Sequence, residues 1–371
     1  MKKKIAIIGA SRFQDAVILK AKEMGLETHV FAWKTGDVGE SFADYFYPIS
    51  TRDKDAILAK CREIEVDGVI SIGSDLATEA VNYIADKMGL IGNSSEATKR
   101  SRNKHLMRKA FEENGDPSPR SILVDENTDI DELSDLEYPV IVKPTDRSGS
   151  RGINKIKSPE ELLNALKIAF EEGFEKKALV EEFAEGDEYS IEYISCRGKH
   201  YLLAVTQKFT SGEPRYIETG HIQPAPISEK LKEKIRKVSE HALDTLMLTD
   251  GASHVELKVD DNKNIKLIEI GGRMGGGFIG SDLVPLSTGY DYVGNVIRIA
   301  MGEEIGEPVI RQIRTVGISF MTKENIEKYR DLMKNNPDRI IKEKVDRKFL
   351  DTENPADLCD RSGYYIYEIS K

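Results

Sequence analysis

Several features that would point to a special compartment or scaffold are missing from this chain. Of 371 residues only three are cysteine, Cys61, Cys196 and Cys359. They lie far apart, in no CxxC or Cys/His cluster, which excludes a disulfide framework and a cysteine zinc site. No apolar run reaches the length needed to cross a bilayer, and the short run Ile5–Ala10 behind the basic start meets Arg12 and Asp15 too soon for a signal peptide. Basic charge is in deficit, with 54 Lys and Arg against 64 Asp and Glu and a net charge of −10. Without a dense basic block, neither nucleic acid nor an anionic membrane is an expected partner. With 39% hydrophobic residues the chain reads as soluble, globular and cytoplasmic, with core enough for two or three domains.

A dinucleotide fingerprint is missing as well. Short β-branched runs (Ile5–Ile8, Thr28–Phe31, Gly68–Ile72) alternate with helical stretches over the first ninety residues, which implies a parallel sheet with right-handed crossovers. The turn after the first run, Gly9-Ala10-Ser11-Arg12-Phe13-Gln14, lacks GxGxxG spacing. Trp33-Lys34 follow the second run, where a ribose-binding acid is required. A Rossmann-like domain that packs beside a substrate fits better than one that binds NAD. One helix is expected from Ser94 or Ser95 to Gly115, bearing Lys99, Arg100, Arg102, Lys104, Arg108 and Lys109.

What is present points to phosphate and metal chemistry. The alternating runs Gly251–Val259 and Ile265–Ile270 flank Asp260-Asp261-Asn262-Lys263-Asn264 and specify a hairpin. With a four-residue tip, Asp261 to Asn264, Glu256 falls opposite Glu269 and two carboxylates share one face about 5 Å apart. Like charges so placed destabilise a sheet unless a cation joins them; oxygen ligands beside phosphates suit Mg2+, with Mn2+ as an alternative. A one-residue shift sends the acids to opposite faces, so the hairpin alone leaves both readings open.

Upstream, Tyr138–Pro144 reads as a buried strand stopped by proline, and Lys143 at its end needs a partner such as a phosphate. The loop Thr145–Gly152, with Ser148, Gly149, Ser150 and Gly152, can fold over that phosphate. A lysine emerging into water and a plain turn are the ordinary alternatives. Glu181, Glu182, Phe183 and Ala184 offer backbone groups beside Val180 for an adenine, and Glu188 can hold ribose hydroxyls. Arg215, Glu218 and His221 share one polar stretch suited to substrate. There Glu218 can take an amino group, and His221 either orients or deprotonates an amine or is an ordinary loop histidine.

Lys104 in a helix, Lys143 before a glycine-rich loop, Val180-Glu181-Glu182-Phe183 with Glu188, and the Glu256/Glu269 pair occur in an order that resembles the ATP-grasp superfamily over roughly residues 1–310. The resemblance implies an α/β and α+β multidomain fold. A Rossmann-like domain (1–93) is followed by an ATP-grasp domain of two α+β subdomains (94–310, the smaller inserted at about 120–190), then a small C-terminal α+β cap or lid (311–371). It further implies ATP between the subdomains, with Lys104 and Lys143 on phosphates, Glu181 and Ala184 main-chain groups at adenine, Glu188 at ribose, and Glu256 and Glu269 on Mg2+. Many members carry Asn two residues after the second metal glutamate; Gly271 stands there instead, and a water is expected to replace that ligand.

Glu269-Ile270-Gly271-Gly272-Arg273 is similar to the pattern in the branch containing L-amino-acid ligases, whose arginine faces the transferred phosphoryl group. The implied activity is an ATP-dependent carboxylate–amine ligase forming ADP and phosphate, with Arg273, Lys143 and His221 as catalytic residues. Its partners are a small-molecule carboxylate and amine, and a homodimer is compatible with it. The alternatives are ATP-dependent carboxylation or formylation of a small metabolite, as in purine-pathway relatives, and a non-catalytic ATP-binding module. The glycines of LIEIGGRMGGGFIG are expected to allow close approach around Glu269 and Arg273 rather than to wrap a nucleotide.

Overall fold

Strands and helices alternate first, as the pattern requires: β1 (Lys4–Ile8), α1 (Asp15–Glu23), β2 (Glu27–Phe31), α2 (Val38–Phe42), β3 (Tyr45–Tyr47), α3 (Lys54–Ile64), β4 (Gly68–Ile70) and α4 (Asp75–Met88). The computed structural model describes residues 2–129, 133, 135–147, 149, 151–213, 217–345 and 363–369. The four strands are parallel in the order β3-β2-β1-β4. In such a sheet the loops leaving the carboxyl ends of the strands form the ligand-facing edge. Here those loops are Gly9–Phe13 after β1 and Ser71–Ser74 after β4.

The expected long helix is broken into α5 (Ser95–Arg102) and α6 (Lys104–Asn114). Asn103 takes an extended conformation between them, and its side-chain oxygen accepts from the backbone N–H of His105 at 3.0 Å and of Leu106 at 3.1 Å. A side chain that caps a new helix so well competes with continuing the old one. The break makes Lys104 the first residue of α6, turned inward and buried.

A four-stranded antiparallel sheet follows, built from β5 (Ser121–Val124), β6 (Val140–Pro144), β7 (Asn154–Ile156) and β8 (Ala178–Glu182) in the order β5-β8-β6-β7. Between β7 and β8, α7 (Leu162–Glu172) packs Leu162, Ala165, Leu166 and Ala169 onto Val140, Val142, Ala178 and Val180. Strand alternation then leaves Lys143 and Glu181 on the opposite face.

The third sheet contains β9 (Asp187–Cys196), β10 (Lys199–Thr210), β11 (Glu218–Gln223), β12 (Gly251–Val259) and β13 (Ile265–Gly271). Helix α8 (Glu229–Thr245) lies between β11 and β12, and α9 (Val284–Thr288) and α10 (Tyr292–Ala300) follow β13. The segment read as a cap supplies β14 (Thr315–Phe320), α11 (Lys323–Asn335), β15 (Ile340–Val345) and β16 (Gly363–Ile369), and its strands extend this same sheet: β13-β12-β9-β10-β11-β14-β16-β15. Tyr189, Ile191 and Tyr193 of β9 pack with Val255, Leu257, Leu267 and Ile270 and with Ile235 and Leu243 of α8. No helix among the described residues is long and apolar enough to cross a membrane.

Replacing Asn103 by Ala should destabilise the protein by about 1 kcal/mol, the usual worth of such a cap. Urea denaturation of the variant beside the wild type measures it, and an unchanged midpoint would show that the break in the helix has another origin.

Candidate active site

Because Tyr189, Ile191 and Tyr193 enter the core, Glu188, Ser190 and Glu192 face the other way. Cross-strand pairing carries the pattern outward. Lys208 of β10 lies beside Glu188; on β12, Glu256 lies beside Ser190 and His254 beside Glu192. One sheet face is therefore apolar and the other densely charged.

Glu256 does lie opposite Glu269, but by an unexpected route. The hairpin tip is Asp260–Asn264, one residue longer than expected, and Val259, Lys258 and Leu257 pair with Ile265, Lys266 and Leu267. A β-bulge after Leu267 then leaves Ile268 extra on β13, and beyond it Glu256 pairs with Glu269 and Val255 with Ile270. Without the bulge, Glu256 would face Ile268 and Glu269 would point to the other side. Arg108 of α6 holds the bulge by donating to the Ile268 carbonyl at 2.7 Å.

Each acid on this face meets a cation. The Lys208 ammonium is 2.7 Å from Glu188, 2.9 Å from Glu256 and 3.3 Å from Glu218. Lys104 donates to Glu269 at 2.9 Å and to the Arg147 carbonyl at 2.8 Å, tying that acid to the loop after β6. Lys143 sits 2.5 Å from Glu181, which also pairs with Arg108 at 2.9 Å. Burial disfavours the charged Lys143, Glu181 only partly offsets it, and neighbouring Arg108 and Lys104 add to the effect, so its pKa falls to about 8. Lys208 is as buried, but Glu256, Glu188 and Glu218 together outweigh desolvation and hold it well above the usual lysine value.

His254 completes the network. Its ring lies between Glu192, 2.5 Å from Nδ1, and Glu256, 3.0 Å from Nε2. Burial opposes its charged form, but Glu192 and then Glu256 prevail and raise it to about 9. At neutral pH the ring donates to both carboxylates. Glu256 is held well below the usual carboxylate range, since Lys208 and His254 overcome its burial.

The glycine-rich segment wraps this network. Glu192 accepts from the Gly275 N–H at 3.1 and 3.0 Å, and a Cβ on Gly275 would stand 2.3 Å from Glu192 Oε1 and 2.7 Å from His254 Nδ1. Gly277, at φ +60°, passes so close to His221 that a Cβ would lie 3.0 Å from its Nε2. His221 is buried, with its ring edge-on to Phe320. Arg273 turns to the N-terminal domain, where its Nε donates to Asp75 Oδ1 at 2.8 Å and its Nη2 to Oδ2 at 3.2 Å.

Lys104, Lys143, Glu181, Glu188, Glu218, Glu256, Glu269 and His221 thus come to the space between the two antiparallel sheets and their linking helices. The Phe183 ring lies beneath the ammonium groups of Lys155 at 3.8 Å and Lys258 at 5.1 Å, and Glu182 reaches Lys266 at 3.3 Å. Ala184 is buried, and Gly149 and Gly152 take left-handed φ values of +70° and +71°. Ser148, Ser150 and Arg215 lie outside the described residues. Sequence reading missed Lys208, Arg108, Glu192, His254 and Asp75 as site residues. The alternation Glu188, Ser190, Glu192 against Tyr189, Ile191, Tyr193 was a usable signal for the acid of β9.

Glu256 and Glu269 fit a divalent ion that takes further oxygens from phosphates and water, because two facing carboxylates are a partial ligand set. No group of three His, Cys, Asp or Glu residues suited to a metal occurs among the described residues. Gly275→Ala should cost about 1–3 kcal/mol, since neither Glu192 nor His254 can retreat from the added methyl. Thermal or urea unfolding checks it, and a neutral result would show that the loop is loose.

Residues 136–282 match the model of the ATP-grasp domain. The alanine–anticapsin ligase of Bacillus subtilis is 27% identical over 286 residues, 68% of this chain and 59% of that protein. The formate-dependent phosphoribosylglycinamide formyltransferase of Methanocaldococcus jannaschii is 27% identical over 251 residues, 66% of this chain and 63% of its own length. The chain thus spans less than two thirds of these curated relatives. The crystal structure of an L-amino acid ligase from Bacillus licheniformis superposes with a TM-score of 0.82 at 22% identity, covering 100% of this chain and 94% of that one. Residues 136–282 thus match an ATP-grasp domain, and the chain as a whole shares the fold of that ligase.

Proposed function

We propose that the chain is an ATP-dependent ligase that activates a carboxylate, that of an amino acid, as an acyl phosphate and joins it to an amine. The observation that carries this reading is the facing pair Glu256 and Glu269 on a sheet face with Lys208, joined by Lys104 of α6 and by Lys143 of the smaller antiparallel sheet, with Arg273 beside it. Phosphoryl transfer is governed by positioning and charge neutralisation, which such a set supplies. The alanine–anticapsin ligase and L-amino acid ligase among the similar proteins support the substrate class.

In the first step a substrate carboxylate oxygen attacks the γ-phosphorus of ATP and ADP leaves. In the second the amine nitrogen attacks the acyl carbon, phosphate leaves, and the amine gives up a proton. Lys104, Lys143 and the loop 145–152 hold phosphate oxygens, and Glu188 and main-chain groups of Glu181 and Ala184 hold the nucleoside. A divalent ion held by Glu256 and Glu269 would neutralise charge on the phosphates. Arg273 faces the transferring group. Glu218, paired with Lys208, binds an amino group, and His221 takes the amine proton. A reaction that consumes ATP fits the expected cytoplasmic location.

Amino acids screened in pairs with ATP, reading phosphate release and then product mass, test the proposal. Release that depends on bicarbonate or formate would favour carboxylation or formylation instead, a chemistry named in the formyltransferase relative. ATP binding without release on any arm would leave a non-catalytic module. Glu269→Ala is expected to abolish Mg2+-dependent turnover. Arg273→Ala should retain ATP binding and lose acyl-phosphate formation by a factor on the order of 10²–10³; an active variant would remove the role given to Arg273.

The Lys143 value also has a consequence in solution. Its ammonium is charged below pH about 8 and neutral above it, so ATP should bind more weakly as pH rises through that value. Isothermal titration across pH 7 to 9 measures this. Lys143→Met should bind more weakly and lack the inflexion; the same inflexion in the variant would assign it elsewhere.

A further inference from the structure

We infer that Asp75 of the N-terminal domain is a positioning residue that aims the Arg273 guanidinium at the transferring phosphoryl group, an inference that rests on the ligase reading above. Asp75 opens α4, stands 198 positions from Arg273, and lies outside the matched domain 136–282. Arginine carries five N–H donors in one rigid plane. Three are engaged: Nε and Nη2 with the Asp75 carboxylate, and Nη1 with the Met274 carbonyl at 3.1 Å. One N–H remains on each terminal nitrogen, the number needed to take two oxygens of a phosphoryl group together.

The need for such a brace follows from the surroundings. Glu256 and Glu269 both act on Arg273 across the site. A long side chain without an anchor would be drawn toward these acids and compete with a divalent ion for them. The bidentate pair with Asp75 fixes both the plane and the direction of the guanidinium. Asp75 is itself held firmly, because Ser74 caps α4 by accepting from the Ala77 N–H at 3.3 Å. Gly271 makes room for the pair. A Cβ there would lie 3.1 Å from Asp75 Oδ1 and 3.2 Å from Arg273 Nε. The missing Asn of the metal shell and the Asp75–Arg273 brace are thereby connected, since a larger residue at 271 would crowd the brace.

Calorimetry on the full chain tests this. Wild type, Asp75→Asn and Arg273→Ala are titrated with Mg2+ and ADP, alone and with aluminium fluoride as a mimic of the transferring phosphoryl group. Binding of Mg2+ and ADP alone should be unchanged in all three, which also shows that the variants fold. The extra affinity conferred by aluminium fluoride should fall about 10- to 100-fold in Asp75→Asn, the usual effect of removing an orienting partner. In turnover, kcat should fall while KM for ATP holds.

A wild-type response to aluminium fluoride in Asp75→Asn overturns the inference and leaves the ligase reading standing. So does a higher KM for the carboxylate or amine at unchanged kcat, which would make Asp75 a substrate contact. No response in the wild type would sink the phosphoryl-transfer reading itself.

Discussion

Keeping opposite charges paired on a sheet face withdrawn from water is the constraint on which the rest of this molecule depends. Lys208 among Glu188, Glu218 and Glu256 is its centre. Removing one partner of a buried pair costs on the order of 3–5 kcal/mol, because the other is left charged and dry. The apolar face of the same sheet, seated on α8, has to sustain that cost. The two faces are products of a single alternation, so the core that stabilises the sheet also fixes which way each charge points. The same pairings set terms for binding. On the proposed reading, a divalent ion taken by Glu256 and Glu269 would replace Lys208 and Lys104 as their counter-charges, with Lys208 keeping Glu188 and Glu218 and Lys104 turning to a phosphate. If ion and phosphates arrive together, no charge would be left alone.

The glycines after Glu269 follow from this crowding. Gly275 lets the backbone lie against the Glu192 carboxylate, Gly277 passes His221, and Gly271 admits Asp75 and Arg273. All of these contacts are to charged or imidazole side chains of the protein itself. They explain why so many small residues fall between two charged ones, and why the segment resembles a phosphate loop in composition while serving a different geometry.

Much of this was legible along the chain wherever a feature is local. The strand–helix alternation gave the parallel N-terminal sheet, and the alternation around Asp260–Asn264 brought Glu256 and Glu269 together. Even there the tip was one residue longer than expected, and the bulge at Ile268 compensated; bulges leave little trace in hydrophobic pattern. The break at Asn103 was hidden because its capping bonds compete with a helix that its neighbours also favour. Lys208 and His254 carry no motif. Their importance comes from lying beside Glu188 and Glu192 on adjacent strands, and such registers are set by tertiary packing. Asp75 is the extreme case, with its partner almost two hundred residues away.

These long-range pairings also bear on how the fold can be recognised at low identity. The matched domain, 136–282, holds Lys143, Glu181, Glu188, Lys208, Glu256, Glu269 and Arg273, but not Lys104, Arg108 or Asp75. Lys104 and Arg108 reach the domain from α6 only because the chain breaks before Lys104, and Arg108 then steadies the bulge that pairs the two acids. Asp75 arrives from the edge of a separate parallel sheet. What must persist for the site to form is therefore a set of registers: β9 with β10 and β12, β12 with β13, α6 across the bulge, and α4 against Arg273. A TM-score of 0.82 at 22% identity shows how far the sequence can change while the fold that carries such registers is kept.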